Sequence, residues 1–334
     1  MKTVAAEYPR KGRTIFMAKK KRRKQKQKIN WSVVIAAAIL LSAFAVVTLF
    51  NGKDWSKWLP SGDSLPSGMF TGSSLDDVPD ADVLVHYIDV GQGDSMLIQA
   101  GDANILIDAG ENDKAGEVVA YLNSVGVETL DMVVGSHPHS DHIGGLDVVI
   151  DTFDVKQVIM GDVPKAIIPT TRTYTDVLQA VKNKGLTITL AHPGDSYEIG
   201  GGTLSVLGPV EDYDDLNDTS LVMKFTYGDV SFLFTGDQEA GAEKDLLNSG
   251  ADVSATVLKV GHHGSSTSSS EEFLAAVSAK CYVIEVVEGN KYNHPHAEIR
   301  EKLRNTGKPV YRTDLNGDIV IATNGKTFDV YTGK

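Results

Sequence analysis

The sequence predicts an α/β domain over residues 82–334, built from two β-sheets with helices packed on their outer faces. Short apolar runs recur along this region, separated by turn-forming Gly, Asp and Asn residues, as expected for strands. Segments with helical spacing lie between several of these runs. Strands with interspersed helices over a region of this length are typical of a layered α/β domain.

The first part of this domain is rich in strands. The first predicted strand covers residues 83–90, and two more follow at 95–98 and 104–107, with Gly-containing turns between them. A short helix is predicted over 117–124, and the apolar run 131–135 is the next strand. The chain therefore enters the following loop from the end of a buried strand.

The remainder of the domain continues the same mixture. Helical spacing is present in three segments, 174–184, 270–279 and 298–305. Strands are predicted at 187–190, 204–207, 221–227, 231–234, 255–260 and 282–287. We find no internal repeat strong enough to indicate a repeat architecture.

The loop after strand 131–135 carries the strongest chemical signal. It reads His137-Pro138-His139-Ser140-Asp141-His142, three imidazoles and one carboxylate within six residues. Imidazole nitrogen and carboxylate oxygen are ligands that zinc prefers, and this spacing supplies enough of them for two ions. The alternative is a His-rich surface loop without function. We disfavour it because other segments supply the missing parts of a metal site.

A second carboxylate stands at the end of an apolar strand, in Phe234-Thr235-Gly236-Asp237. A carboxylate in such a place is costly unless it is paired or binds a metal. Asp237 has two oxygens and could bridge two ions. It could also be a turn residue that caps a helix beginning near Gln238. Beside the His-rich loop, the ligand interpretation is favoured.

The remaining histidines fall into two groups and two isolated positions. The strand 255–260 leads into His262-His263, and Asn293-His294-Pro295-His296 lies further along. Adjacent side chains of an extended chain point to opposite faces. We therefore expect one of His262 and His263 to bind metal and the other to contact substrate or the ligands, without deciding which. His86 and His192 are interpreted as ordinary structural residues.

Two glycine-containing segments resemble known binding loops only in part. Residues 89–95 connect the first two strands, and their glycines would allow another segment of backbone to approach closely. No helix follows, which argues against a dinucleotide site. Residues 314–318 resemble the start of a calcium loop but lack the later acidic ligand, so we interpret them as a turn.

Charge is distributed unevenly along the chain. Residues 1–30 hold twelve Lys or Arg and one acid, whereas the rest holds 20 basic and 43 acidic residues, so balances of +11 and −23 make up the net −12. The acidic part shows no basic stripe, which argues against tight binding of long nucleic acid. The single Cys281 lies in an apolar run and excludes an internal disulfide, although pairing between chains is not excluded.

The basic residues 1–30 form a predicted cytoplasmic tail, because residues 31–50 follow as twenty residues without charge. The positive-inside rule then places the later residues outside the cytoplasm. A cleavable signal peptide is the rival interpretation, but the apolar run continues past the small-x-small site at 43–45. Residues 51–81 have linker composition. Met17 also has the form of a chain start, which would make residues 1–16 an extension.

Together these motifs resemble the metallo-β-lactamase superfamily, and more narrowly the soluble hydrolase domain of the ComEC family of DNA-uptake competence proteins and its stand-alone relatives. The matching segments are 89–94, 106–110, 136–145, 217–221, 234–237, 261–265 and 293–295. They span nearly all of residues 82–325. The resemblance implies an αββα sandwich, with the site at one edge of the two sheets. The full competence protein needs a multi-span channel, which one hydrophobic segment cannot form.

The resemblance also implies two groups of ligands that share one carboxylate. The first is His137, His139 and Asp237, and the second is Asp141, His142, Asp237 and one of His262 or His263. Many members have a further His before the Gly-Asp strand, but residues 216–220 here contain none. Either water, Asn217 or Asp218 would then complete the first group, or that group would bind its ion only weakly. Two divalent ions are expected, with zinc favoured and manganese an alternative.

The predicted reaction is hydrolysis of a phosphoester by a hydroxide held between two metal ions. Candidate catalytic residues are Asp141, His262 and His294, of which His294 or the non-ligating member of the 262–263 pair would protonate the leaving oxygen. Asp108 and Asp89 are expected to orient ligand histidines. Further candidates for contact with ligands or substrate are Asn217, Ser220 and Asn293.

Several functions remain compatible with these residues. A nuclease acting on extracellular DNA fits the resemblance, whereas a phosphodiesterase acting on a cell-envelope component or a small molecule fits the acidic surface. Nothing points to a lactonase or a β-lactamase. The alternatives from another class are a membrane-tethered binding or assembly factor with a vestigial site, and a partner of a separate DNA-uptake channel.

Overall fold

Two mixed β-sheets face each other in the computed structural model, which describes residues 73–334. The strands, numbered along the chain, are β1 (Ser73–Ser74), β2 (Val83–Tyr87), β3 (Met96–Ala100), β4 (Ala103–Ile107), β5 (Thr129–Leu130), β6 (Met132–Gly135), β7 (Asp154–Val155), β8 (Val158–Gly161), β9 (Ile188–Ala191), β10 (Ser196–Ile199), β11 (Gly202–Gly208), β12 (Val222–Tyr227), β13 (Val230–Phe234), β14 (Val257–Lys259), β15 (Cys281–Ile284), β16 (Val310–Arg312), β17 (Ile319–Thr323) and β18 (Phe328–Thr332). The helices are α1 (Ala115–Ser124), α2 (Ser140–Ile143), α3 (Leu146–Thr152), α4 (Arg172–Asn183), α5 (Ala240–Asn248), α6 (Glu271–Val277), α7 (Ala297–Asn305) and α8 (Thr313–Asn316).

The order of strands explains where the loops of the site come together. The first sheet runs β1-β18-β17-β2-β3-β4-β6-β8-β9, and the second runs β10-β11-β12-β13-β14-β15-β16. Strands β4, β6, β8 and β9 are parallel to one another, as are β13, β14, β15 and β16. Because the carboxyl ends of parallel strands meet at one edge of a sheet, the loops after β6, β13 and β14 can converge.

Alternating side chains build three apolar layers. Val85 and Ile98 of the first sheet pack with Phe232 of the second in the core between the sheets. Leu97, between two inward-facing residues of β3, packs outward in a cluster with residues of α1, α3 and α4. Leu233 of β13 likewise packs outward in a cluster with residues of α5, α6 and α7. This period of two confirms the predicted αββα sandwich. Each fully buried large side chain contributes about 1.5–3 kcal/mol.

Every strand and helix predicted from the sequence overlaps an element of the structure, but several elements were not predicted. These are the two-residue strands β1, β5 and β7, the longer strands β8, β10, β16, β17 and β18, and the helices α2, α3, α5 and α8. α3, with the sequence LDVVIDT, shows the reason. A short apolar run fits a strand and a helix equally well until its partners are known.

Residues 73–81 differ from the predicted linker. Ser73 and Ser74 pair in parallel with Tyr331 and Thr332 of β18, so this part of the linker belongs to the first sheet. The predicted tail 1–30, the predicted membrane segment 31–50 and residues 51–72 lie outside the described residues. Within residues 73–334, none of the helices combines the length and the apolar character needed to span a bilayer.

Candidate metal centre

The His-rich loop leaves the carboxyl end of β6, which lies between β4 and β8 in the parallel part of the first sheet. The single turn of α2 follows directly and folds His142 back toward His137, so that their ring centroids are 4.2 Å apart. The ring of His139 lies 4.7 Å from that of His137. One helical turn after a buried strand thus gathers the three imidazoles at one point.

A glycine lets the turn before β3 approach this loop. The backbone N–H of Asp94 donates to the carbonyl oxygen of Asp141 at 3.0 Å. Gly93, which precedes Asp94, has a φ of 144°, and a Cβ there would collide with the Asp141 carbonyl oxygen. The prediction that glycines in residues 89–95 permit close backbone approach is therefore confirmed.

Asp237 lies at the centre of the cluster. It follows β13, and its backbone N–H donates to Ser220 Oγ at 3.0 Å. Its Oδ1 is 3.2 Å from His142 Nε2 and 3.6 Å from His263 Nε2. Its Oδ2 is 4.0 Å from His137 Nε2. The two carboxylate oxygens therefore face different imidazoles, as a bridging carboxylate requires.

His262 and His263 do not sit on an extended strand, so the premise from which we expected opposite faces was wrong. Both have left-handed backbone, with φ of 50° and 51°, because the chain turns sharply after β14. Both rings consequently face Asp237. His263 is buried, with Nε2 3.5 Å from Asp141 Oδ2. His262 is 20% exposed and its Nδ1 lies 3.2 Å from Thr267 Oγ1.

The donors form two groups that fit divalent ions. One group is Asp141, His142, Asp237 and His263, and the other is His137, His139 and Asp237. In each group one ligand atom per residue lies within 4.8 Å of all the others. His142 Nε2, His263 Nε2 and Asp237 Oδ1 are buried without a hydrogen-bond partner, which is expensive unless a cation occupies the space between them. His263, rather than His262, belongs to these groups.

Residues 216–220, which lack the further histidine, include two polar side chains with different contacts. Asn217 lines the cavity of the site, and its buried Oδ1 has no hydrogen-bond partner. Asp218 is directed elsewhere, because its Oδ1 accepts from the backbone N–H of Glu239 at 2.8 Å. Of the two residues suggested to complete the first group, Asn217 therefore has the free oxygen beside the cavity.

Asp108 orients the His142 ring by contacting its Nδ1 atom. Its Oδ2 lies 2.9 Å from His142 Nδ1, and its carboxylate also accepts from the backbone N–H and the hydroxyl of Ser136. This fixes the His142 ring with Nε2 toward Asp237. Asp89, expected to do the same, does not. It accepts from the backbone N–H of Gly91 and pairs with Lys334.

The carboxylate that faces a second ligand histidine is Asp94, which the sequence did not reveal. Its Oδ1 lies 3.2 Å from His263 Nδ1, and its Oδ2 lies 2.8 Å from Lys259 Nζ. His263 Nδ1 is also 3.0 Å from the backbone oxygen of Glu285. Lys259 is a charged residue within the apolar strand β14, and that pattern alone predicts a buried partner.

Charge within the cluster follows from these contacts. Burial opposes ionisation of Asp94, but Lys259 and then His263 outweigh it and lower its pKa to about 2. Burial, followed by the charge of Asp94, raises the pKa of Glu285 well above its usual range. Burial also opposes a charge on His263, but Asp237 and Asp94 raise its pKa to about 10. The carboxylates on either side of the His263 ring therefore favour a positive charge there.

His294, proposed as a proton donor, lines the cavity, and its ring centroid lies 5.5 Å from that of His262. Burial, together with His263 and His262, lowers the pKa of His294 to about 4. Its role in proton transfer stays a prediction. Asn293, a further candidate, is an exposed turn residue with a φ of 60° and is not among the residues that line the cavity.

The cluster opens into a cavity of about 270 Å³. Asp141, Asp237 and His263 contribute to its wall, and His262 and His294 line it as well. Other lining residues had not been singled out from the sequence, and they are Gln92, Glu111, Lys291 and Tyr292. The cavity gives a substrate access to both groups of donors.

Comparison with known proteins agrees with this geometry. A family model described as the metallo-beta-lactamase superfamily matches residues 88–284, more than half of the chain. ComE operon protein 3 of Bacillus subtilis is 32% identical over 268 residues, which cover 74% of this chain and 34% of that protein. Competence protein ComA of Neisseria gonorrhoeae is 32% identical over 246 residues, which cover 72% and 32%. The chain thus spans about a third of the length of the curated relatives that it matches.

The chain is also similar to solved structures at low sequence identity. CmlA, a diiron beta-hydroxylase from Streptomyces venezuelae, is 14% identical, covers 74% of this chain and 55% of its own, and has a TM-score of 0.49. The match over residues 88–284, the αββα layers and the two groups of His and Asp donors lead to one conclusion. The chain belongs to the metallo-β-lactamase superfamily.

Proposed function

We propose that the domain hydrolyses phosphodiesters with two divalent metal ions. The observation that carries the proposal is the position of Asp237, whose two oxygens face the imidazoles of both donor groups. Paired ions of this kind suit displacement at phosphorus, because they supply positive charge for the phosphoryl oxygens and activate water at neutral pH. Zinc is the expected ion and manganese the alternative, since imidazole and carboxylate donors without sulfur suit both.

The residues of this chain would have distinct roles. His137, His139, Asp141, His142, Asp237 and His263 would hold the ions. Asp108 and Asp94 would keep the His142 and His263 rings oriented. His262, partly exposed at the cavity and outside both donor groups, and His294, which also lines the cavity, are the candidates to exchange a proton with the leaving oxygen.

Two kinds of phosphodiester remain in competition. Relatives named for competence support a nuclease that acts on DNA. The acidic balance beyond residue 30 favours short or small substrates, because a polyanion would be repelled along most of the surface. Among the residues that line the cavity, Lys291 is the one Lys or Arg, and it provides a local exception.

The full-length chain in detergent is the material for the test. Bound metal is measured by elemental analysis, and turnover is measured with bis-p-nitrophenyl phosphate, p-nitrophenyl phosphorylcholine and single-stranded DNA. The expected result is about two metal ions per chain with phosphodiester turnover. Asp141→Asn should abolish the turnover, whereas Asp89→Asn, which removes a carboxylate outside the cluster, should retain it. Metal binding without turnover of any ester would contradict the proposal.

We also propose that residues 31–50 anchor the chain in the cytoplasmic membrane, with the domain outside. The support is the uncharged run of twenty residues preceded by basic residues. Alkaline phosphatase, which is active only outside the cytoplasm, can be fused after residue 81. An active fusion is expected, and deletion of residues 31–50 should silence it. An inactive fusion with the segment intact would place the domain on the cytoplasmic side.

A second candidate is a tethered component of a DNA-uptake system without catalysis. The favouring observation is that the similar protein of Neisseria gonorrhoeae is named Competence protein ComA, and that the match covers about a third of it. This candidate predicts that deletion of the gene lowers DNA uptake and that the Asp141→Asn chain restores it fully. The hydrolase proposal predicts that the variant fails wherever the deletion has a phenotype.

A further inference from the structure

The loop that follows β15 borders the cavity with side chains that no metal group uses. Lys291, Tyr292 and His294 all line the cavity. Lys291 and Tyr292 are exposed, and the Tyr292 side chain has 47% of its surface accessible. An exposed tyrosine beside a lysine at the mouth of a polar cavity has no role in holding the fold together.

Hydrogen bonds within this loop hold it in one shape. Asn290 Oδ1 accepts from the backbone N–H groups of Tyr292 and His294, at 3.1 and 2.9 Å. Asn290 Nδ2 donates to the carbonyl oxygens of Val287 and His294, at 2.9 and 2.6 Å. His296 Nε2 lies 3.1 Å from the carbonyl oxygen of Tyr292. The two exposed side chains therefore project from a preorganised backbone, which lowers the entropic cost of binding.

Aromatic rings connect the mouth of the cavity to the metal cluster. The Tyr292 ring stacks on the His294 ring with centroids 5.5 Å apart and planes at 23°. The His294 ring in turn stacks on that of His263 at 6.4 Å and 26°. A planar group that extends along the cavity from the cluster would meet the Tyr292 ring.

Lys291 is the one Lys or Arg side chain that the cavity lining offers to an anion. Lys291 Nζ lies 4.8 Å from the centroid of the Tyr292 ring. The charged groups elsewhere in the lining include the carboxylates Glu111, Asp141 and Asp237. If one phosphate of a molecule lies close to the metal cluster, a second anionic group of the same molecule can pair with Lys291.

We propose that Lys291 and Tyr292 form a recognition subsite for phosphodiesters that carry an aromatic ring. Lys291 Nζ turns away from its place over the Tyr292 ring to pair with a phosphate, and a neighbouring nucleobase packs against the exposed part of that ring. Stacking on an aromatic side chain accepts every base, so this subsite selects nucleotide esters over alkyl or choline esters without reading sequence. The inference rests on the proposed phosphodiester hydrolysis for its biological meaning, but the binding itself can be measured separately.

Binding is tested by calorimetry with thymidine 3′,5′-bisphosphate and the full-length chain in detergent. Tyr292→Ala should weaken binding at least about fivefold, whereas Tyr292→Phe, which keeps the ring, should stay within about twofold. Lys291→Ala should weaken binding and reduce its dependence on salt. Lys308→Ala removes an exposed lysine that does not line the cavity, and it should bind like the wild type. Thermal unfolding checks that every variant is folded.

Turnover provides the second measurement. The wild type should have a lower KM for thymidine 5′-(p-nitrophenyl phosphate) than for methyl p-nitrophenyl phosphate. Tyr292→Ala should remove that difference with little change in kcat, because the residue does not touch the reacting atoms.

The two proposals fail in different ways. Bisphosphate binding that depends on Tyr292 and Lys291, without turnover of either ester, would retain the subsite and contradict the hydrolase. Equal binding by the wild type and by both alanine variants would overturn the subsite, even with rapid hydrolysis. Absence of bisphosphate binding by the wild type would overturn it as well.

Discussion

Lys259 Nζ lies 2.8 Å from Asp94 Oδ2, and neither side chain has exposed surface. Lys259 also donates to the carbonyl oxygen of Val260 at 3.1 Å, and the other oxygen of Asp94 faces His263. The buried cation therefore favours the ionised form of a carboxylate directly behind a histidine of the candidate metal centre. This contact links the second sheet, which carries Lys259, to the turn between β2 and β3 of the first sheet.

Lys259→Met should destabilise the domain strongly. It leaves the Asp94 carboxylate buried with its cation removed, and the loss of one partner from a buried pair costs about 3–5 kcal/mol. Urea denaturation followed by circular dichroism measures the free energy of unfolding. Asp94→Asn combined with Lys259→Met removes both charges and should recover part of the loss. A single variant within about 1 kcal/mol of the wild type would show that the pair contributes little.

His263→Asn should remove one metal ion per chain, whereas His262→Asn should retain both. His263 Nε2 lies 3.5 and 3.6 Å from oxygens of Asp141 and Asp237, but His262 is outside both donor groups. Asparagine suits both positions, because it tolerates the left-handed backbone that each histidine adopts. Elemental analysis after dialysis gives the stoichiometry. The reverse pattern would assign the ligand to His262.

Asp108→Asn should lower metal affinity by about 10–100-fold while the domain stays folded. The Asp108 carboxylate contacts His142 Nδ1, and its left-handed φ of 58° is one that asparagine accepts. Asp89→Asn is the matched control, because its carboxylate contacts Gly91 and Lys334 rather than a ligand. Competition with a chelating dye measures both affinities. Equal weakening in the two variants would contradict the orienting role of Asp108.

Local sequence was sufficient where a motif carries both the residues and the turn. The loop His137 to His142 is an example, since one helical turn after a buried strand determines where its rings point. Asp237 is another, because its strand β13 is apolar except for Ser231 and ends at the site. The fold class followed from alternation of apolar residues, which the core between the sheets confirms.

Tertiary contacts decided the rest. Asp89 and Asp94 stand in the same glycine-containing segment, and only the packing of Gly93 against the Asp141 carbonyl shows which of them reaches a histidine. The sequence likewise does not predict the left-handed backbone of His262 and His263, because neither residue is glycine. Lys291 and Tyr292 are ordinary surface residues until the fold places their loop at the cavity.

Gly93→Ala should disturb the metal centre, although Gly93 is not one of the candidate ligands. Its Cβ would collide with the carbonyl oxygen of Asp141, so the loop that carries four of the candidate ligands would have to move. We expect lower metal affinity and a loss of about 1–3 kcal/mol in stability. Gly116→Ala lies in α1 with no atom within 4 Å of the added Cβ, and it should stabilise the helix by about 0.5–1 kcal/mol. Metal titration and urea denaturation distinguish the two.

His86 should make the domain less stable in mild acid. Burial lowers its pKa to about 4, and its Nδ1 lies 2.9 Å from the Tyr121 hydroxyl. The unfolded chain binds a proton near pH 6.5, whereas the folded chain does so only near pH 4. Unfolding therefore takes up a proton between these values, and stability falls as the pH decreases through that window. The contribution reaches about 3 kcal/mol at its lower end.

The His86→Gln variant isolates this contribution, because glutamine keeps a polar side chain beside Tyr121 but does not titrate. Both proteins are measured with a chelator present, so that the ligand histidines titrate equally in each. The free energy of unfolding, obtained from urea denaturation at several pH values, should fall less steeply for the variant between pH 6.5 and 4. If instead the free energies of unfolding of the two proteins differ by the same amount at every pH, His86 is protonated equally in the folded and unfolded chains.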